Sequence, residues 1–415
     1  MIAIPLIYFV GLAIFLYCRS HRWGLDLAAV SLLIVISLCA IMIDVTEIYG
    51  SYGINKPSYN ILTLLLFCIQ WTIVIYPLHA LSKLELQPLP DCKNLMLYVW
   101  IVSVIISAGL MIFKSMDDIR DALIMDMADV RAQHYKELYT GGDKSSNYLY
   151  FVPSILVQNP MPTIALLLWF YMNSFVNGNY VLKVGIIVAS IVQAVLAIVT
   201  AGRAAMIYWI FDFYLLYSFF YRFVATKVKY AINISALVFG IAFAALFVTI
   251  TVSRFDGSES DRDPLESLYG YAGQHVNNFS CMIMEGGNSP FSIDRELPFL
   301  SRFVFGLQFD LEDHYRSVST KVKAMVNVFD TYGAEVYLDW GWIGYVLFHV
   351  FLIAIGVYIN RMWKELSFYR LLLAGIAITF FTHGLFAWPF THHYTSMSLA
   401  LLFLFVYLFR YKIKV

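Results

Sequence analysis

Glu335 and Asp339 stand four residues apart, so any helix that holds them presents both carboxylates on one face. A carboxylate placed there can accept the proton of an attacking hydroxyl. A second candidate base is His275, inside the run Tyr269-Gly270-Tyr271-Ala272-Gly273-Gln274-His275-Val276-Asn277-Asn278-Phe279. The carboxylates also have a structural reading. Acidic groups complement the positive end of a helix, and Gly341-Trp342-Ile343-Gly344 is a spacing suited to helix contact.

Negative charge on a substrate would need cations. Arg203 follows Thr200-Ala201-Gly202 at the expected start of a helix, where free backbone N–H groups favour an anion. Its planar fork suits phosphate oxygens. Arg254, Arg262, Arg295, Arg302 and Arg316 follow in one polar stretch that also carries many acids, so the stretch is mixed and not basic. A solvated loop carries arginines for solubility as well, and Arg203 could equally hold lipid headgroups. Asp212 and His349 fall in the middle of apolar runs, where an ionisable side chain is a functional hypothesis. They are candidates to pair with each other. His383, His392 and His393 flank Trp388-Pro389 without a cysteine or carboxylate companion, so no metal is expected.

The elements that position these residues are helices in a membrane. Hydrophobic residues make up 60% of the 415 and charged residues 13%, and mean hydropathy is +0.70, which excludes a soluble globular class. Formal net charge is zero, so no global field points to nucleic acid. Eleven apolar stretches predict spans at 2–18, 25–43, 58–80, 95–113, 160–176, 180–200, 203–221, 230–251, 336–359, 368–384 and 395–410. The fold class is therefore all-α, a single integral membrane domain over 1–415. Arg19, Arg22, Lys83, Lys93, Lys183, Arg222, Lys227, Lys229, Arg361, Lys364, Arg370, Arg410, Lys412 and Lys414 fall in every second connection. The positive-inside rule puts all of these in the cytoplasm with the C-terminus, and the N-terminus outside. The long loops 114–159 and 251–335 then lie outside.

Ile119, Leu123, Met127 and Val130 recur at helical spacing among acids, which predicts an amphipathic surface helix. Val318, Val322, Met325, Val326 and Phe329 predict a second one. Of five cysteines, only Cys281 falls in the large outer loop, so no disulfide framework is expected.

Together these features resemble the Wzy-type O-antigen polymerases, the oligosaccharide repeat-unit polymerases of bacterial inner membranes. Ala201-Gly202-Arg203 is similar to that family's Gly-Ser-Arg-like turn. Asn327-Val328-Phe329 and Asp339-Trp340-Gly341 are similar to its Asn-Val-Phe-Thr and Asp-Phe-Gly segments, with Asp330 in place of threonine and Trp340 in place of phenylalanine. An Arg-x10-Gly pattern of some members recurs as Arg131…Gly142, Arg262…Gly273 and Arg295…Gly306.

The resemblance implies a GT-C-like glycosyltransferase that polymerises undecaprenyl-diphosphate-linked repeat units at the periplasmic face, without nucleotide or other cofactor. For that reaction Glu335, Asp339 and His275 are the candidate catalytic set, and Asp339 falls where the family's Asp-Phe-Gly aspartate stands. Arg203, Arg254, Arg262, Arg295, Arg302, Tyr269, Asn278 and Tyr332 would contact substrate. The partners implied are the lipid-linked oligosaccharide, the bilayer, and a chain-length regulator and flippase of the same pathway. Three other readings share parts of the pattern. A flippase would show paired repeats and midplane polarity. A glycan ligase has the same architecture, usually with a histidine just before the ninth span. An acyltransferase decorates surface glycans.

Overall fold

The computed structural model describes residues 1–49, 60–89, 94–124, 148–176, 178–200, 204–255, 264–285, 306, 331–390 and 393–410. Over these the chain is helical apart from one short strand pair. The helices are α1 (Ile4–Ser20), α2 (Leu25–Thr46), α3 (Ile61–Ser82), α4 (Asn94–Lys114), α5 (Met116–Ile124), α6 (Phe151–Val157), α7 (Met161–Phe175) and α8 (Tyr180–Leu196). Then come α9 (Ala204–Phe220), α10 (Thr226–Phe255), α11 (Pro264–Glu285), α12 (Tyr332–Met362), α13 (Phe368–Gly384) and α14 (His393–Arg410). Every expected apolar run is helical. By length and hydropathy α2, α3, α4 and α12 can each cross a bilayer, and the pair α6–α7, bent by 63°, makes a fifth. Shorter apolar helices accompany them. The chain is a multi-pass helical membrane protein.

Local chemistry sets the helix limits. Pro5 occupies the first turn of α1, where its missing N–H costs nothing. The Asn60 side chain accepts the Leu62 N–H and starts α3. The hydroxyl of Thr331 accepts from the Ala334 N–H and starts α12. That start lies four residues before the expected one at 336.

The chain divides into two compact units. The first comprises Met1–Gln87, Leu265–Leu366 and Ala377–Ser396. Its centre is an aromatic chain: Phe67 meets Phe9 and Trp71 edge-on, and Trp71 meets Phe381 and Tyr332. At one end of this unit, strands β1 (Glu85–Leu86) and β2 (Glu365–Leu366) pair in parallel, Glu85 opposite Glu365. Parallel pairing requires α3 and α12 to leave the membrane on the same side. The same end holds the contact of His79 Nδ1 with Asp26 Oδ2 at 2.6 Å. Burial lowers the pKa of Lys83 here, and the charge of Arg19 adds to that. The basic connections after the first, third and ninth runs therefore meet on one face, as their charge led one to expect.

The opposite end carries α11, which departs from expectation. The stretch 251–335 reads as a polar outer loop. Instead α10 continues to Phe255, and 264–285 is a helix seated against α2 and α3. The Tyr269 hydroxyl donates to Thr46 Oγ1 at 3.2 Å, Thr63 and Ser280 share a hydrogen bond of 2.7 Å, and Phe279 packs on Phe67. At Gly273 the two helices touch backbone to backbone: a Cβ there would stand 2.4 Å from Ala40 N. Cys281 is consequently buried rather than displayed.

The second departure is α12. Its hydrogen-bonded run covers 31 residues, but Gly341 sits at φ 62° and ψ −168°, outside helical space. Only glycine reaches that region without strain. The run is two helices. The limb 332–340 folds back on the limb 342–362, because Tyr332 touches both Phe348 and His349. The second limb alone rises roughly 31 Å and suffices to span the hydrocarbon.

The second unit comprises Pro88–Pro264, Ser367–Ile376 and Met397–Val415. Its core stacks Phe170 on Phe220 and Tyr217, and Trp100 on Phe405 at 4.2 Å. Of the two expected amphipathic helices, α5 forms the start of the first, with Asp117 and Asp118 in its opening turn. Residues 125–131 and the whole of the second, 314–329, lie outside the described residues.

Candidate functional site

Thr331 caps the short limb, and Gly341 ends it. Between them Tyr332, Glu335 and Asp339 recur at spacings of three and four, on one face. Both carboxylates are buried, Glu335 with 1% and Asp339 with 2% of its surface exposed. The Trp388 backbone N–H donates to Glu335 Oε2 at 2.5 Å. A main-chain donor from the turn after α13 thus fixes how this carboxylate points.

The same turn links Glu335 to α11. Two residues before Trp388, Phe386 receives the His275 ring edge-on, with centroids 4.6 Å apart, and lies 6.0 Å from the Tyr271 ring. His275, Asn277 and Asn278 are all buried on α11. The turn 385–390 therefore touches both Glu335 and His275 in one polar layer, and Asp339 lies one helical turn from Glu335 on the same limb. That layer lies at the end of the first unit opposite the basic connections. Trp388 also packs on Phe348 and Phe380, which walls the layer with aromatic rings.

Below this layer the limbs of α12 close on α3. His349 Nδ1 lies 2.7 Å from the Tyr345 carbonyl oxygen, so that nitrogen carries the proton. His349 Nε2 then accepts from the Tyr332 hydroxyl at 2.9 Å. The Tyr345 hydroxyl donates to Gln70 Oε1 at 3.2 Å. Gln70 Nε2 and Trp71 Nε1 are buried with no acceptor among the described residues. An unmade hydrogen bond of this kind costs about 1–3 kcal/mol.

The expected pairing of Asp212 with His349 is replaced by separate partners. Both His349 nitrogens are taken as described, and Asp212 accepts from the Thr163 hydroxyl at 2.5 Å. A hydroxyl donor on α7 thus satisfies one oxygen of this buried aspartate. Tyr269 is half-buried at the end of α2, Asn278 lies inside α11, and Tyr332 lies at the deep end of the short limb. Arg203, Arg262, Arg295 and Arg302 fall outside the described residues, as do Arg316, His314 and His392. Arg254 closes α10, and its side chain is also outside. His383 is buried near the end of α13. Among the described residues no group of three His, Cys, Asp or Glu side chains could hold a metal ion.

Gln70, Tyr345 and Trp388 are not among the residues expected from sequence. Gln70 could have been found as an amide midway through an apolar run. Trp388 enters through its backbone, which no residue type announces. Compared with known proteins, the chain matches no family model, no curated protein and no solved structure.

Proposed function

We propose that this protein is a membrane glycosyltransferase. It polymerises undecaprenyl-diphosphate-linked oligosaccharide repeat units into O-antigen or a related surface polysaccharide. The observation that carries the reading is the burial of Glu335 and Asp339 on a fold-back limb, with the turn 385–390 touching both Glu335 and His275. Carboxylates withdrawn from solvent suit proton removal from a sugar hydroxyl. The resemblance in Ala201-Gly202-Arg203 and Asp339-Trp340-Gly341 supports the same chemistry.

In this reading the acceptor hydroxyl of one repeat unit attacks the anomeric carbon of the growing chain. A new C–O bond forms there, and the C–O bond to the diphosphate breaks with its electron pair leaving on the diphosphate. Glu335 takes the hydroxyl proton, Asp339 and His275 orient the acceptor, and the configuration inverts. Arg203, with Arg254, Arg262, Arg295 and Arg302, holds the departing charge, which is the largest electrostatic task. Eleven crossings in a GT-C-like arrangement, in a bacterial inner membrane with the N-terminus periplasmic and the C-terminus cytoplasmic, complete the proposal. A chain-length regulator and a flippase of the same pathway are its proposed partners.

The test is the lipid-linked pool of a strain without this protein. Single repeat units alone are expected on undecaprenyl diphosphate. Purified protein should then lengthen them without nucleotide sugar. Polymer of normal length that fails only to reach its final carrier would replace polymerase by ligase.

A further inference from the structure

We propose that the Gln70 side-chain amide binds an uncharged saccharide oxygen at the deep end of this site, an assignment that rests on the proposed function. The amide is held from two sides. Tyr345 donates to its Oε1 at 3.2 Å. Gly333 packs so tightly that a Cβ there would stand 1.9 Å from Oε1. Both limbs of α12 thus clamp one side chain of α3. Its Nε2 nevertheless has no acceptor among the described residues. Turning the amide over does not help, because Tyr345 offers one hydroxyl and one amide atom is always left. A buried amide, immobilised yet unsatisfied, marks a place where a partner belongs.

The surroundings say what that partner is. Trp71, Tyr332 and Tyr345 are aromatic, and His349 bears its proton on Nδ1 and accepts at Nε2, which leaves it neutral. None of these groups offers the positive charge a diphosphate needs. A neutral oxygen presented among rings describes a sugar hydroxyl or ring oxygen. The amide would therefore recognise the saccharide and not the diphosphate.

The experiment uses the full-length protein in nanodiscs with two probes. These are the lipid-linked repeat unit from a strain without this protein, and undecaprenyl diphosphate without sugar. Wild type should be thermally stabilised by both. Gln70→Leu should keep the shift with undecaprenyl diphosphate and lose the extra shift with the repeat unit. Its KM for the repeat unit should rise at least tenfold, with kcat changing far less. The double variant Gln70→Leu with Tyr345→Phe removes both partners of the internal bond, so it should fold and unfold as wild type does without ligand. A full saccharide shift and a KM within twofold of wild type in Gln70→Leu would overturn the proposal. Misfolding of both variants would overturn it too, since the amide would then be structural. If wild type binds the repeat unit without lengthening it, the polymerase reading fails while the saccharide site stands. No saccharide-dependent shift in wild type removes both.

Discussion

The Tyr332 hydroxyl donates to His349 Nε2 over 2.9 Å although 17 residues separate the two. In a straight helix that separation would be roughly 25 Å. The bond exists because the chain reverses at Gly341, and the reversal carries Glu335 and Asp339 from the membrane surface into the interior. Tyr332 marks how deep the limb reaches, since it lies beside Trp71 and Gln70 in the middle of α3.

Gly341→Ala should disrupt this limb. Its φ of 62° with ψ of −168° is strained for any side chain, at a cost of about 1–3 kcal/mol. The variant should lose activity, and its midpoint of thermal unfolding should fall. Gly109→Ala is the control, because a Cβ there meets nothing within 4 Å. Equal behaviour of the two variants would mean that the reversal does not depend on Gly341.

Gly273→Leu tests the seat of α11. A side chain there must push the helix off Ala40 and Cys39, whose backbone atoms lie within 2.6 Å of the added Cβ. Backbone cannot yield as a flexible side chain does, so α11 should lift. Limited proteolysis should then cut between 264 and 285, where wild type resists. Unchanged resistance would show that α11 is not held at this point.

Much of this architecture is legible in the sequence. Apolar runs gave the helices because a span must satisfy its own backbone. The basic connections after the third and ninth runs share one end, as the pairing of Glu85 with Glu365 shows. The burial of α11 was not legible. Gln274, His275, Asn277, Asn278 and Ser280 read as a solvated loop, whereas hydrogen bonds such as that of Ser280 with Thr63 let a polar helix enter a core. The reversal at Gly341 was hidden for a related reason. Glu335 and Asp339 make the short limb look like the polar approach to the apolar run, and one φ angle separates a hairpin from a long span. For the site, the spacing of Glu335 and Asp339 was readable, but the donor from Trp388 was not, since every residue other than proline carries the same N–H.

Sidedness can be checked with two cysteines in a background lacking the exposed Cys18. Met284 is about half exposed on α11, and Glu85 is exposed on β1 at the other end of the same unit. An impermeant thiol reagent applied to intact spheroplasts should label Met284→Cys and reach Glu85→Cys only after lysis. The reverse pattern would invert the proposed topology. Labelling of both before lysis would contradict their placement on opposite faces.

Glu335→Gln isolates the proposed proton acceptor. Glutamine keeps the length and shape of the side chain, and its carbonyl oxygen can still accept the Trp388 N–H. What disappears is basicity. If Glu335 removes the proton of the acceptor hydroxyl, turnover should fall by about 10²–10⁴, the usual worth of general-base assistance. KM for the lipid-linked repeat unit should stay near wild type, because proton removal stabilises the transition state and not the bound substrate. Asp339→Asn should lower folding yield as well as activity, since Asp339 stands two residues before the reversal at Gly341. The deciding measurement is turnover of purified Glu335→Gln at matched protein level. Near-normal turnover would reject Glu335 as the base and leave His275, held edge-on against Phe386 in the same polar layer, as the next group to replace.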